Sequence, residues 1–325
     1  MTEAMRVELQ DRRQQLSTLM ARRGDDERLT ALLADVDLAL ARVDAGTYGL
    51  CETCHDPIEA DRLAADPLVR RCLDHLNASE LRTLERDLAL AARVQRALLP
   101  PPDLEHGGWQ IAYEYLPHGP VSGDYCDVVQ CPGQGPGPLL VVLGDVSGKG
   151  VAASMLMAHL RAMVRSLAGF TQQIDDLLAR INQMFCESTL PAHYATLACA
   201  RLGATGEIEV SNAGHVPPMI VHDGRVATIE DGGLPIGMFC TVTHRVARAC
   251  LTPGDQLVFV TDGLTEARNA DDEEYGIERL LRLLERIGPA SSARETVAAA
   301  IGDARRFLSR QPWADDVSVL VARRL

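Results

Sequence analysis

Three consecutive prolines, Pro100-Pro101-Pro102, split this chain into two textures. Proline lacks a backbone donor and its ring blocks a continuing helix, so the run divides an upstream segment from a downstream one. Upstream, apolar side chains recur every three or four residues. Met5, Leu9, Leu16 and Leu19 form a weak helical stripe over 1–23. After the polar break Gly24-Asp25-Asp26, a sharper stripe comes in Leu29, Leu32, Leu33, Val36, Leu40 and Val43. Two such helices predict an antiparallel helical hairpin over 1–45, ended by Gly46. A third stripe, Leu81, Leu84, Leu88, Ala91, Gln95 and Leu98, predicts a linker helix over 78–100 that pairs with a second copy, and so a homodimer.

Downstream the apolar runs are short and punctuated by glycine, proline and aspartate. Segments 109–115, 139–143, 194–201, 207–211, 256–261 and 317–321 read as strands; 151–168, 173–187, 277–287 and 291–309 read as helices. Strands mixed with helical pairs predict an α+β fold class, with 101–325 as one layered domain. No apolar run is long enough to span a bilayer, and the N-terminus is charged where an export signal is apolar. A cytoplasmic protein without membrane contact is therefore expected. With 32 basic and 45 acidic side chains the formal charge is −13, the wrong sign for direct nucleic-acid binding.

Cysteine placement is uneven. Six of the nine cysteines are scattered through the β-rich part and read as small buried hydrophobes. The other three, with one histidine, form two pairs: Cys51-Glu-Thr-Cys54, then seventeen residues, then Cys72-Leu-Asp-His75. A two-residue gap lets both side chains of a pair enter one tetrahedral site, and thiolate with imidazole suits one structural Zn²⁺. His55 competes for the fourth place, but it adjoins Cys54 and needs an awkward turn; His75 is preferred. The stretch from Asp44-Ala-Gly-Thr-Tyr-Gly-Leu-Cys51 through Ile58, Arg62-Leu63, Pro67 and Cys72 resembles the DksA/TraR zinc finger, assigned here to 46–77. That family usually carries cysteine as its fourth ligand, so His75 is a departure. The resemblance implies contact with RNA polymerase, made in the family by acidic residues at the hairpin tip, here near Gly24-Asp25-Asp26.

Four aspartates each sit beside a glycine or turn at the edge of a β-type run: Asp124, Asp145, Asp262 and Asp315. Singly, each reads as a turn residue. Three are attached to apolar strands, and neighbouring buried strands would bring their end carboxylates to one sheet edge. Crowded carboxylates raise one another's pKa, and a hard divalent cation such as Mg²⁺ or Mn²⁺ relieves the conflict. Asp145 precedes Gly148-Lys149-Gly150, which fails the P-loop pattern in spacing and in its last residue. A helix starting there would still favour a phosphate at its N-terminus. Lys149, the only lysine in the chain, is assigned to that phosphate.

Seven ordered motifs then resemble the SpoIIE/RsbU-type serine/threonine phosphatases of the metal-dependent, type 2C-like superfamily. They are Ala92-Arg-Val-Gln-Arg-Ala-Leu-Leu-Pro100, Gly123-Asp124-Tyr-Cys-Asp127, Gly144-Asp145-Val-Ser-Gly-Lys-Gly150, Asn212-Ala-Gly-His215, Leu234-Pro-Ile-Gly237, Thr261-Asp262-Gly263 and Asp315-Asp316. The resemblance implies a β-sandwich flanked by helices, with two or three Mn²⁺ or Mg²⁺ ions on one edge. It places Asp124, Asp145, Asp262 and Asp315 as ligands together with the backbone carbonyl of Val146, Asp316 being the second choice at its end. The implied reaction is hydrolysis of a phosphoserine or phosphothreonine protein without a phosphoenzyme. Ser147 stands where eukaryotic-type relatives have a histidine acid, which leaves the leaving-group proton to water at the metals. His215, Asp127 and Asn212 read as loop braces. The implied substrate is a phosphorylated STAS-domain anti-sigma-factor antagonist, with the zinc finger as regulator. The alternative is an RNA polymerase-binding regulator whose phosphatase domain is silent.

Overall fold

The computed structural model describes residues 2–23, 26–76, 78–132, 137–171, 173–190, 192–230 and 232–325. It divides into two compact units, Met1–Asp87 and Leu88–Leu325.

In the first unit α1 (Thr2–Arg23) packs on α2 (Glu27–Asp44), with Leu9, Leu16, Val36 and Ala39 buried. Asp26 caps α2 by accepting the Arg28 amide at 2.9 Å. Gly24 and Asp25, the rest of the expected hairpin tip, lie outside the described residues. After Gly46, at a left-handed φ of 70°, the chain enters a small module containing α3 (Ala60–Ala65) and a 3-10 turn at Leu73–His75. Its core is Cys51, Ile58 and Cys72, flanked by Cys54, Leu63 and Val69. So few apolar groups bury little area, which leaves the module short of hydrophobic stabilisation.

Helix α4 (Ala78–Leu98) runs across the division between the units. Its final turns belong to the large unit because Gln95 is buried there: it donates to the Ser122 carbonyl at 2.7 Å and accepts the Ser122 amide at 3.0 Å. The prolines end the helix, but the compact unit begins before them. Gln95 thereby leaves the stripe expected to face a second copy.

The large unit continues with β1 (Asp103–His106), β2 (Trp109–Leu116), β3 (Asp124–Gln130) and β4 (Leu139–Val146). Helices α5 (Gly150–Ala168) and α6 (Ile174–Ser188) follow, then β5 (Ala195–Leu202), β6 (Glu207–Ala213), β7 (Met219–His222), β8 (Arg225–Thr228), β9 (Gly232–Gly233), β10 (Ala247–Cys250) and β11 (Gln256–Val260). The short α7 (Asp262–Thr265), α8 (Ile277–Leu284), α9 (Ala293–Leu308) and β12 (Val317–Arg324) complete it. One sheet runs β1-β2-β12-β11-β7-β8; the other runs β10-β6-β5-β4-β3, with β9 beside β6.

Three apolar layers define the architecture. Leu139, Val141 and Leu143 of β4 meet Leu257, Phe259 and Leu320 between the sheets. Leu140, Val142 and Val146 point the other way, into a core with Leu160 and Val164 of α5 and Leu178 and Ile181 of α6. Val258, Val260, Val319 and Val321 bury their outer face with α8 and α9. Strands buried on both faces read as unbroken apolar runs, which is why β4, β11 and β12 are legible in the sequence. The result is a β-sandwich with helices on both outer faces, the expected α+β class.

Strand β3 escapes that reading. Asp127 lies inside it, fully buried, and its two oxygens receive Arg165 of α5 at 2.6 and 2.7 Å. Arg161 adds a second cation at 3.5 Å and the Tyr125 hydroxyl a hydrogen bond at 3.2 Å. Asp127 is therefore a strand-to-helix clamp rather than a loop brace, and a charge at that position disguises a strand.

Candidate active site and metal centres

One edge of the sandwich collects the aspartates. Asp124 opens β3 and stands directly opposite Asp145 near the end of β4, a register that sets side chains on one face side by side. Asp262 follows β11 at the start of α7, and Asp315 immediately precedes Asp316 and β12. Gly123 lets the turn close here: a Cβ on it would lie 3.0 Å from the Val146 carbonyl and 3.1 Å from Asp145 Oδ1. Gly263 is needed more strictly, since a Cβ there would fall 1.9 Å from the Asp316 carbonyl oxygen.

Asp124 is 2% exposed. Its Oδ2 accepts the Ser318 hydroxyl at 2.6 Å and the Thr261 hydroxyl at 3.1 Å. Burial raises its pKa well above the usual range; the Ser318 hydrogen bond opposes the rise, and the charges of Asp145 and Asp316 add to it. Burial, and then the charges of Asp262, Asp315 and Asp316, push Asp145 up to about 7. Asp262 is raised by burial, while the Gly263 amide pulls the other way. Lys149 caps α5 and reaches Asp315 Oδ2 at 2.7 Å, so the cation assigned to phosphate holds a carboxylate here. Both Asp316 oxygens are occupied by main-chain amides, those of His118 at 2.7 Å and Gly123 at 2.9 Å. Asp316 thus braces the turn before Asp124, while Asp315 holds Lys149 on Oδ2 and accepts the Asp316 amide on Oδ1 at 2.9 Å.

Other residues singled out in the sequence serve as supports. Ser147 and Tyr194 exchange hydrogen bonds: the Ser147 amide donates to the Tyr194 carbonyl at 2.9 Å, and its Oγ accepts the Tyr194 amide at 3.0 Å. Asn212 closes a loop on His215 through two bonds of 2.8 and 2.9 Å. The buried His215 ring pairs through Nδ1 with Thr196 Oγ1 at 2.9 Å, and burial lowers its pKa to about 4. Thr261 and Ser318 are the supports that sequence reasoning misses. Ser318 did leave a trace, as a polar residue inside the apolar run 317–321.

The edge offers carboxylate oxygens and the Val146 carbonyl, a hard donor set that fits Mg²⁺ or Mn²⁺. Among the described residues, the one group of three or more possible ligands with donor atoms within 4.8 Å of one another is Cys51, Cys54, Cys72 and His75. The edge carboxylates do not close to that spacing. In the small module Cys54 Sγ lies 3.8 Å from Cys72 Sγ, which lies 3.2 Å from His75 Nδ1. Burial would raise the Cys51 thiol, but hydrogen bonds from the Cys54, Cys72 and Thr53 amides hold it down at about 6. Three sulfurs, one of them readily ionised, and an imidazole fit zinc.

Two face-to-face sheets, helices on both outer sides and aspartates gathered at one edge define the PP2C-type phosphatase fold. The SiaA-PP2C domain of Pseudomonas aeruginosa shares it, with a TM-score of 0.65 and 20% identity over 76% of this chain and 99% of that one. The family model for stage II sporulation protein E (SpoIIE) matches residues 135–325, and the chain belongs to the SpoIIE family. Asp124 lies upstream of the matched span. Residues 46–74 match the prokaryotic dksA/traR C4-type zinc finger, and His75 lies one residue beyond. Protein IcfG of Synechocystis is 28% identical over 229 residues, 61% of this chain; the match spans only 35% of IcfG. Phosphoserine phosphatase RsbU of Bacillus subtilis is 26% identical over 246 residues, 74% of this chain and 71% of RsbU. Among the described residues, no helix is long and apolar enough to cross a membrane.

Proposed function

We propose that this chain is a metal-dependent phosphoserine/phosphothreonine protein phosphatase regulated by its zinc-finger module. The observation that carries the reading is the placement of Asp124 opposite Asp145, with Asp262 and Asp315 at the same sandwich edge. In this reading Asp124, Asp145, Asp262, Asp315 and the Val146 carbonyl hold two or three Mn²⁺ or Mg²⁺ ions. When bound, such ions polarise phosphoryl oxygens and acidify the attacking water. Thr261 and Ser318 aim Asp124 and oppose the rise that burial gives its pKa. Lys149 and the amides opening α5 favour an incoming phosphate. Gly148 and Gly150, at left-handed φ values of 101° and 74°, shape that turn.

Likeness to RsbU supports a phosphoserine substrate, and we assign it to the phosphorylated STAS-domain class. Cys51, Cys54, Cys72 and His75 hold one structural Zn²⁺ in this reading. The DksA/TraR match supports a protein-binding role for the module, RNA polymerase being the partner to test by pull-down. Leu81 and Leu84, 45% and 38% exposed on α4, support pairing with a second copy. The test of function is phosphate release from a phosphoserine STAS protein. Release that requires Mn²⁺ and disappears in Asp145→Ala supports the reading. Equal release from both proteins overturns it.

A further inference from the structure

Cys126, Cys131 and Cys199 are buried, as small hydrophobes should be, but Cys186 is half-buried and Cys240 and Cys250 are exposed. Cys186 and Cys240 are brought together by a clamp. Asn182 of α6 donates Nδ2 to the Phe239 carbonyl at 2.8 Å and accepts the Gly237 amide at 2.8 Å. One turn later on the same helical face, Cys186 Sγ lies 3.6 Å from the Gly237 carbonyl. The turn has little freedom: Gly237 adopts a φ of 86°, and a Cβ on it would meet the Phe185 ring at 2.6 Å. Cys240 follows Phe239 directly, so the clamp that fixes 237–239 on α6 sets Cys240 beside Cys186, close enough to influence its thiol. Burial and the adjoining Cys240 push the Cys186 thiol up to about 11, which leaves the exposed Cys240 as the thiol that meets an oxidant first.

We propose that Cys186 and Cys240 form a reversible disulfide on exposure to a hydroperoxide. The Cys240 thiolate attacks a peroxide oxygen, the O–O bond breaks, hydroxide leaves and Cys240 becomes a sulfenic acid. The Cys186 sulfur then attacks that sulfur; the S–S bond forms, the S–O bond breaks, and hydroxide departs with the Cys186 proton as water. Two thiols lose two electrons, and one peroxide is reduced to water. A dithiol reductant reverses the reaction by exchange. The linked segment reaches the candidate edge: Ile236 and Ala195 exchange backbone hydrogen bonds of 2.8 Å, and the neighbouring Tyr194 pairs with Ser147.

The test is peptide mapping of the full-length zinc-loaded protein after hydrogen peroxide treatment and alkylation. The expected result is a Cys186–Cys240 linked peptide that dithiothreitol removes. In Cys186→Ser the link is lost, and dimedone labelling of Cys240 rises several-fold because no thiol resolves the sulfenic acid. The proposal is overturned if Cys186 and Cys240 stay separately alkylated, if Cys240 links to Cys250 instead, or if dimedone labels Cys240 equally in both proteins.

Discussion

Ser318 on β12 donates its hydroxyl to Asp124 on β3 at 2.6 Å, and these two strands belong to opposite sheets of the sandwich. The bond joins the two layers at the edge where the aspartates gather. Thr261, at the end of β11, extends it by donating to the same oxygen at 3.1 Å and accepting the Ser318 amide at 2.8 Å. A buried carboxylate is thereby oriented, and the rise that burial gives its pKa is opposed.

Ser318→Ala removes that donor without touching a proposed ligand. Partners that orient a metal ligand are worth about 10–100-fold in metal affinity. Manganese titration should show a loss of that size, with circular dichroism unchanged.

Asp127→Ala should unfold at lower denaturant without affecting the small module. It leaves Arg161 and Arg165 facing a site with no anion. Breaking a buried pair in this way costs about 3 kcal/mol, at the low end of the usual range because Arg165 can regain water. A shift in the urea midpoint at constant slope checks it.

His215 contributes an acid limit to stability. Burial holds its folded pKa at about 4, against 6.5 for the exposed ring. Between those values the unfolded chain binds a proton that the folded chain does not, so stability falls as pH drops from about 6.5 to about 4 and is flat above. The full loss is about 3 kcal/mol. Denaturant midpoints measured from pH 7 to pH 4 should show this slope, and His215→Gln should lack it.

The small module should depend on zinc. Among the described residues its apolar core cluster is Cys51, Ile58 and Cys72, small enough that a bound metal would supply much of its folding energy. Elemental analysis should find one zinc per chain, and His75→Ala or Cys54→Ser should lose most of it. A chelator should then make residues 46–77 protease-sensitive while the large unit resists.

Much of this fold is legible in the sequence because its central strands are buried on both faces. Leu139 to Leu143 supply side chains alternately to the inter-sheet core and to the α5–α6 core, so polarity never interrupts the run. Strand β3 is not legible, because Asp124 and Asp127 look like turn chemistry until Ser318 and Arg165 come into view across space. Strands β7, β8 and β10, four residues each, are too short to show a period. At the candidate site Asp124, Asp145 and Asp262 can be named from their neighbouring glycines, and Asp315 from the apolar strand it precedes. The Lys149–Asp315 pair and the amides on Asp316 depend on contacts between residues far apart in the chain, which no local pattern encodes.

The central claim is that the aspartate edge binds hard divalent cations. Calorimetric titration of the zinc-loaded chain with Mn²⁺, beside Asp145→Ala, tests it most directly. At least two manganese sites are expected in the wild type, with binding weakened by about 10-fold or more in the variant. Superimposable isotherms from the two proteins would contradict it.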